Sequence, residues 1–125
     1  MKYIYVDGDN IGLRIEQSFL NNNENELRDI NLKVINAVKK ISDYLVTHNH
    51  KVIFSGADGI ISKGVQIDIA NLLKIVRAAE NDFTFSIGIG SSLKDSYVAL
   101  RYAKSYGKNI AVYLSENHHF EIINQ

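Results

Sequence analysis

Two aspartates lie at positions where their carboxylates could hold divalent metal ions. Asp7 ends the run of β-branched and aromatic residues 2–7, and Asp58 follows Gly56 and Ala57 at the tip of a predicted β-hairpin. Carboxylate oxygens are the ligands that Mg²⁺ prefers. Two such ions about 3.5–4 Å apart can stabilise both the attacking and the leaving oxygen of a phosphoryl transfer. We therefore predict that Asp7 and Asp58 converge on a metal site.

Two further features could hold phosphate groups. The segment Gly8-Asp9-Asn10-Ile11-Gly12 leads into a predicted helix, whose first backbone N–H groups form a cradle for phosphate oxygens. Lys104 and Lys108 lie four residues apart across the end of the last predicted helix and could hold a triphosphate as point charges. Each feature also has a structural explanation, because turn aspartates cap backbone and lysines near helix C-termini stabilise the dipole.

Composition limits the classes of protein that the chain can belong to. It has 125 residues, 46% of them hydrophobic, with no cysteine and a formal net charge of +0. We expect one domain over residues 1–125 with a packed core and without disulfides or thiolate metal sites. A chain without net positive charge is not expected to bind long nucleic acid. We see neither a membrane span nor a signal peptide and expect a cytoplasmic protein.

The elements that must position these residues follow from hydrophobic spacing. Apolar residues at intervals of three or four predict a long helix over residues 26–48, with one inward stripe from Leu27 to Leu45. Residues 83–90 alternate large apolar and small residues, which predicts a strand buried on one side. In it, Gly88 and Gly90 are explained more simply by packing than by contact with a nucleotide base. The other predicted strands are 2–7, 51–55, 59–63 and 110–114, and the other helices are 11–20, 65–80 (with Val65 inward) and 93–106, the last ending at Gly107.

This order, β-α-β-β-α-β followed by an added α-β, predicts an α+β fold of the ferredoxin-like palm type. We expect a mostly antiparallel sheet with its helices on one face. In such a sheet the first strand is central and lies beside the hairpin. Asp7 and Asp58 would then meet at one sheet edge.

Four segments together resemble the signatures of GGDEF-type cyclases, in the same order along the chain. The short length is most similar to the minimal CRISPR polymerases, which are related to the palm of the type III CRISPR polymerase subunit and to diguanylate cyclases. The resemblance covers nearly the whole chain. The four segments are Asp7-Gly8-Asp9-Asn10-Ile11-Gly12, Phe54-Ser55-Gly56-Ala57-Asp58-Gly59, Phe85-Ser86-Ile87-Gly88-Ile89-Gly90 and Ala103-Lys104-Ser105-Tyr106-Gly107-Lys108-Asn109.

The resemblance implies a role for each matching position. Asp7 and the carbonyl of Gly8 would bind the first metal, and Asp58 would bind both of two Mg²⁺ or Mn²⁺ ions. The residues expected around the nucleotide are Gly8, Asp9, Asn10, Ile11, Gly12, Ser55, Gly56, Lys104 and Lys108. The implied reaction is attack of a ribose hydroxyl on an α-phosphate with loss of pyrophosphate.

The implied substrate is a nucleoside triphosphate, with ATP expected, and the product a cyclic di- or oligonucleotide that signals in antiviral defence. We also expect a homodimer, because each nucleotide must be both attacker and target. One position departs from the family pattern. The family hairpin often has two consecutive acids, and Ala57 stands in place of the first, so the hairpin offers one carboxylate. Adenylyl cyclase-like relatives also have one, so the departure is compatible with activity. Recognition of guanine is therefore not implied.

Two alternatives compete with a cyclase. Residues 6–10 and 54–58 are also similar to motifs of metal-dependent NYN/PIN nucleases, but that fold has a parallel sheet, which the hairpin spacing does not suit. The other alternative is a degenerate palm that binds a nucleotide as a receptor without turnover. The presence of both metal-binding acids argues against it.

Overall fold

Six strands form one sheet in the computed structural model, which describes residues 1–125. The strand order is β2-β3-β1-β4-β5-β6, and only β4 and β5 run parallel. The predicted α+β palm with a mostly antiparallel sheet is thereby confirmed. The sheet is not the parallel one that the nuclease alternative requires. The elements are β1 (Lys2–Gly8), α1 (Ile11–Leu20), α2 (Glu24–Thr47), β2 (Lys51–Gly56), β3 (Gly59–Gly64), α3 (Ile69–Ala79), β4 (Phe85–Gly90), α4 (Leu93–Tyr106), β5 (Ala111–Leu114) and β6 (Phe120–Ile123).

The central position predicted for the first strand is confirmed. β1 pairs with β3 on one side and with β4 on the other, and its Ile4 and Val6 are fully buried. Asp7 lies opposite Gly59 at the start of β3, directly after the two-residue turn of the β2–β3 hairpin. The end of β1 and the hairpin turn therefore lie at the same edge of the sheet.

The helices lie on both faces of the sheet, which corrects the expectation that they share one face. Ile87 and Ile89 of β4 belong to the main core with α2 and α3. Gly88, between them, faces α4, and a separate apolar cluster of α4 and β5 lies on that side. All six residues of β4 are buried, so the prediction of a strand buried on one side is wrong. The small residues of β4 do not face solvent, because Gly88 and Gly90 lie against α4.

Several boundaries differ from those predicted, for local reasons. The Asp68 side chain accepts a hydrogen bond from the Asn71 N–H, so α3 begins four residues later than predicted, and Val65 is 77% exposed instead of inward. The Asn23 side chain caps α2 in the same way. The inward stripe of α2 is confirmed from Ile30 to Leu45, while Leu27 is only half-buried. β6 was missed because residues 116–125 show no clear period. None of the four helices is long and apolar enough to cross a bilayer.

Gly88 makes the closest approach between the sheet and a helix, and it provides the first prediction. A Cβ at Gly88 would lie 2.3 Å from both the Leu100 nitrogen and the Ser96 carbonyl oxygen, which are backbone atoms that cannot rotate away. We expect Gly88→Ala to lower the free energy of unfolding by about 3 kcal/mol, the upper end of overpacking costs. Urea denaturation would measure it.

Gly12 is the matched control, because a Cβ there meets nothing within 4 Å in an exposed helical position. Gly12→Ala should instead raise the free energy of unfolding by about 0.5–1 kcal/mol. Equal stability of Gly88→Ala and wild type would show that α4 does not depend on this contact.

Candidate nucleotide and metal site

Asp7 and Asp58 lie together at the sheet edge formed by the end of β1 and the hairpin turn. The Gly8 N–H donates to the Asp58 carbonyl at 3.0 Å, which joins the two segments through the backbone. A Cβ on Gly8 would lie 3.0 Å from Asp58 Oδ2, and a Cβ on Gly59 would lie 3.2 Å from Asp7 Oδ1. The two glycines thus leave room for the two carboxylates at one edge. The predicted convergence matches this geometry, and the metal-binding roles remain predictions.

Lys104 brings a cation from α4 into this acidic edge. Its ammonium donates to the Gly8 carbonyl at 2.7 Å and to Asp9 Oδ1 at 2.8 Å, and it lies 3.2 Å from Asp7 Oδ2. Only 15% of the Lys104 side chain is exposed. Lys104 therefore neutralises the acids of the β1 end, in addition to any contact with a phosphate.

Asp9 is buried and holds Lys104, which corrects its grouping with the residues that face a nucleotide. Its side chain is 3% exposed, and both of its oxygens are occupied by donors from the protein. Burial works against the charged form, but hydrogen bonds from Lys104, Thr84 and Ser86 outweigh it and lower the pKa of Asp9. The contacts are Lys104 Nζ and Ser86 Oγ to Oδ1, at 2.8 and 2.7 Å, and Thr84 Oγ1 and the Asn109 N–H to Oδ2, at 2.6 and 3.1 Å.

The two edge carboxylates differ in how they are compensated. Burial raises the pKa of Asp7, the Lys104 charge opposes this rise, and the nearby Asp58 charge adds to it. Asp58 is half-buried and takes part in none of the ion pairs of the chain. A cation that bound both acids would therefore relieve a repulsion that Lys104 compensates only in part.

The N-terminus of α1 faces the same region. Asn10 is exposed, has the left-handed φ of 61°, and its side chain does not cap the helix. Its Oδ1 instead accepts a hydrogen bond from Lys108 Nζ at 2.6 Å. Lys108 and the first turn of α1, with Ile11 and Gly12, are thereby brought together as predicted. Of the hairpin residues, Ser55 is exposed near the end of β2, and Gly56 is half-buried next to the ring of Phe54.

Three residues that hold the site were missed as functional candidates. Thr84 and Ser86 donate to Asp9, and the Asn109 N–H donates to both Asp9 and Ser86. Ser86 and Asn109 are polar residues inside two of the four segments that resemble the family signatures, and this position could have marked them as candidates. Thr84 lies outside the motifs and carries no such signal.

A cavity of about 630 Å³ opens beside Asp58, between α1 and α2. Arg28 and Asn31 are the polar residues of α2 at its wall. Leu27, predicted to pack inward, is only half-buried and lines this cavity. Cavities of this size with an apolar wall and a few polar groups are typical of small-molecule sites. The other apolar residues of the wall are Ile11, Ile15, Ile30, Val34, Ile35 and Ala57.

The donor set fits Mg²⁺ or Mn²⁺ bound together with a substrate. No group of three or more His, Cys, Asp or Glu side chains converges anywhere in the chain, so the protein offers no complete cage for a metal. Mg²⁺ is usually held by one or two carboxylates together with substrate phosphates and water. The carboxylates of Asp7 and Asp58 with the Gly8 carbonyl form such a set of hard oxygens.

Comparison with known proteins agrees with the palm fold. A family model described as the minimal CRISPR polymerase domain matches residues 3–114. A diguanylate cyclase/phosphodiesterase from Caldicellulosiruptor saccharolyticus is similar in fold, with a TM-score of 0.58 and 14% identity, covering 97% of this chain and 78% of that one. The guanylyl cyclase Cya2 is also similar, with a TM-score of 0.59 and 12% identity, covering 90% of this chain and 73% of that one. At such identities the likeness shows a shared fold only. No curated protein sequence matches the chain significantly.

The buried pair of Asp9 and Lys104 provides the second prediction. Asp9→Asn removes one partner of a buried charged network and should lower the free energy of unfolding by on the order of 3 kcal/mol at pH 7. The folded state holds the pKa of Asp9 below its ordinary value of 3.8, so the contribution of its charge is complete above that value. The difference between wild type and variant should narrow as the pH falls through the lowered pKa, as measured by urea denaturation at each pH.

Asp82→Asn is the matched control for this measurement. Asp82 also binds two cations, Arg14 and Lys33, but its side chain is 38% exposed. Exposed ion pairs contribute about 0.2–1 kcal/mol. Equal losses in the two variants would mean that the burial of Asp9 adds nothing.

Proposed function

The chain belongs to the minimal CRISPR polymerase family, and we propose that it joins ATP molecules into a cyclic di- or oligonucleotide with release of pyrophosphate. The family and the palm fold, similar to that of solved cyclases, support a nucleotidyl cyclase or polymerase activity in general. The observation that carries the finer proposal is the meeting of Asp7, Asp58 and Lys104 at one sheet edge beside an apolar cavity. A role in antiviral defence is proposed from the family alone.

Asp7, Asp58 and the Gly8 carbonyl would hold the two divalent ions. When bound, the ions neutralise phosphate charge and stabilise the oxygens that attack and leave. Lys104 is bonded to two of these groups and keeps the edge electrically balanced. Lys108 and the first N–H groups of α1 would hold the triphosphate, since point charges and a helix N-terminus both favour phosphate.

The cavity between α1 and α2 suits the nucleobase. It adjoins Asp58 and the start of α1, so a base in it would place its phosphates at the carboxylates. Asn31 can both donate and accept hydrogen bonds at its wall, and Arg28 can only donate. An apolar wall with these two polar groups is compatible with the polar edge of adenine.

The reaction moves a nucleotidyl group. A bond forms between a ribose hydroxyl oxygen and the α-phosphorus of a second ATP, and the bond from that phosphorus to the bridging oxygen of the β-phosphate breaks. Pyrophosphate leaves, and the hydroxyl proton passes to solvent. The contribution of the protein is positioning and charge stabilisation, which can supply much of the reduction of the barrier.

The proposal includes a homodimer, because one palm has one triphosphate site and a cyclic product needs two bond-forming events. A two-fold axis would set two ATP molecules head to tail. The sheet face of Asp7 offers apolar surface for such a contact. On it, Tyr5 and Phe54 both lie opposite Ile61 in the strand register, and Phe54 is 57% exposed.

The third prediction tests the carboxylates. Asp7→Asn and Asp58→Asn keep the side-chain shape but weaken metal binding. We expect each variant to lose about 4 kcal/mol of transition-state stabilisation, which lowers the rate roughly a thousandfold. Pyrophosphate release from ATP with Mg²⁺ would measure it. Asp43→Asn, at an exposed ion pair of α2, is the control and should turn over like wild type. Near wild-type release by either site variant would contradict the proposal, and ATP binding without turnover by wild type would favour the receptor.

The fourth prediction tests the dimer. Specific activity should fall when the enzyme is diluted below the dissociation constant of the dimer, because a lone palm cannot complete the ring. Mixing Asp7→Ala chains with wild type should yield a linear intermediate from the heterodimers. Product chromatography with light scattering under assay conditions measures both. Constant specific activity from a monomer would instead indicate sequential chemistry at one site.

A further inference from the structure

Arg77, near the end of α3, holds the loop that carries Lys108 by binding the next residue, Asn109. Its Nη2 donates to the Asn109 carbonyl at 2.6 Å, and its Nε donates to Asn109 Oδ1 at 3.3 Å. The same guanidinium also donates to Asn124 Oδ1 and to the main-chain oxygen of Gln125, after β6. All three of its nitrogens are therefore used, and its plane is fixed between the loop and the residues that follow the last strand.

The loop held by Arg77 has an unfavourable backbone conformation. Lys108 and Asn109 follow the end of α4 with φ angles of 68° and 54°, in the left-handed region. Two consecutive non-glycine residues in this region persist only where the surroundings hold them. The loop is therefore expected to relax if its anchors are removed.

Asn109 is held from both sides. Arg77 binds its carbonyl and its side chain, while its N–H donates to Asp9 Oδ2 at 3.1 Å and to Ser86 Oγ at 3.2 Å. Lys108, the residue before it, directs its ammonium to Asn10 at the N-terminus of α1. The side chain of Lys108 is long and flexible and does not fix its own position. The position of Lys108 therefore depends on how the backbone of Asn109 is held.

We propose that Arg77 is a positioning residue that pre-organises Lys108 for the triphosphate. This rests on the proposed function for the identity of the ligand. Arg77 forms no hydrogen bond with Asp7, Asp9, Asn10 or Asp58, so its effect passes through Asn109. A planar guanidinium can reach a carbonyl and an amide oxygen at once, whereas the single ammonium of a lysine is a compact point charge. Ordering the loop in advance lowers the entropy that ligand binding must offset.

The first test needs no ligand. In Arg77→Met the Asn109 N–H should exchange with solvent about tenfold faster than in wild type, because the local opening of the loop becomes easier. Arg101→Met is the matched control, since it removes the same charge from an exposed residue of α4 that forms no ion pair. Its Asn109 exchange should be unchanged. Unchanged exchange in Arg77→Met as well would overturn the proposal.

The second test measures binding and turnover. Arg77→Met should weaken the binding of inorganic triphosphate with Mg²⁺, measured by calorimetry, and raise the KM for ATP, each roughly tenfold, with kcat nearly unchanged. Arg77→Lys should recover little of this loss. Lys108→Met should show the same loss, and the double variant should be no worse than Lys108→Met alone, because Arg77 acts through that residue. Additive losses would show an independent role and overturn the proposal.

Asn109→Gly provides a second variant if Arg77→Met does not fold. Glycine accepts the left-handed φ and keeps the carbonyl bound to Nη2, but it removes the acceptor of Nε. Affinity for triphosphate should fall below that of wild type, by less than the roughly tenfold loss expected for Arg77→Met, and an affinity equal to that of wild type would overturn the proposal. If wild type releases no pyrophosphate but the exchange rates and triphosphate affinities behave as expected, the proposed function fails and the role of Arg77 stands. If ATP turns over but neither the exchange rate nor the triphosphate affinity changes in the Arg77 variants, the proposed function stands and the role of Arg77 fails.

Discussion

The buried ion pair between Asp9 and Lys104 joins parts of the chain that are far apart in sequence. A carboxylate that is 3% exposed costs much free energy unless its oxygens are matched by donors, so Asp9 requires Lys104, Thr84, Ser86 and the Asn109 N–H together. These donors come from α4 and from the segments around β4 and β5. The turn after β1, the strand beside it and the loop after α4 are therefore held together through Asp9.

Lys104 reaches Asp9 because α4 packs very close to β4. The glycines of β4 let the helix backbone approach to within contact of the strand, with Gly88 against Ser96 and Leu100 and Gly90 against the first turn of α4. From this position the ammonium bonds the Gly8 carbonyl as well as two carboxylates. The packing of α4 on the sheet thus also determines the charge balance of the site. If the helix lay further from the sheet, Lys104 could not reach Asp7 and Asp9.

Local patterns in the sequence determined most of the elements. The stripe of α2, the hairpin around Ala57 and Asp58, and the end of α4 at Gly107 all follow from residues within a few positions of one another. The order of the strands then follows from general rules of connection, which put β1 between β3 and β4. That order is why Asp7 and Asp58 could be expected at the same sheet edge.

Only the tertiary structure decided which polar residues face a ligand and which hold the site. Asp9 has the same appearance in the sequence as Asp7, two positions earlier, yet its partners place it inside the protein. Its bonds to Lys104 and Asn109 span 95 and 100 positions, and the bonds from Arg77 to Asn109 span 32. The placement of α4 on the second face of the sheet has the same origin. Periodicity reports the side of an element that is buried, but the identity of its partner depends on contacts between distant segments, which no local pattern encodes.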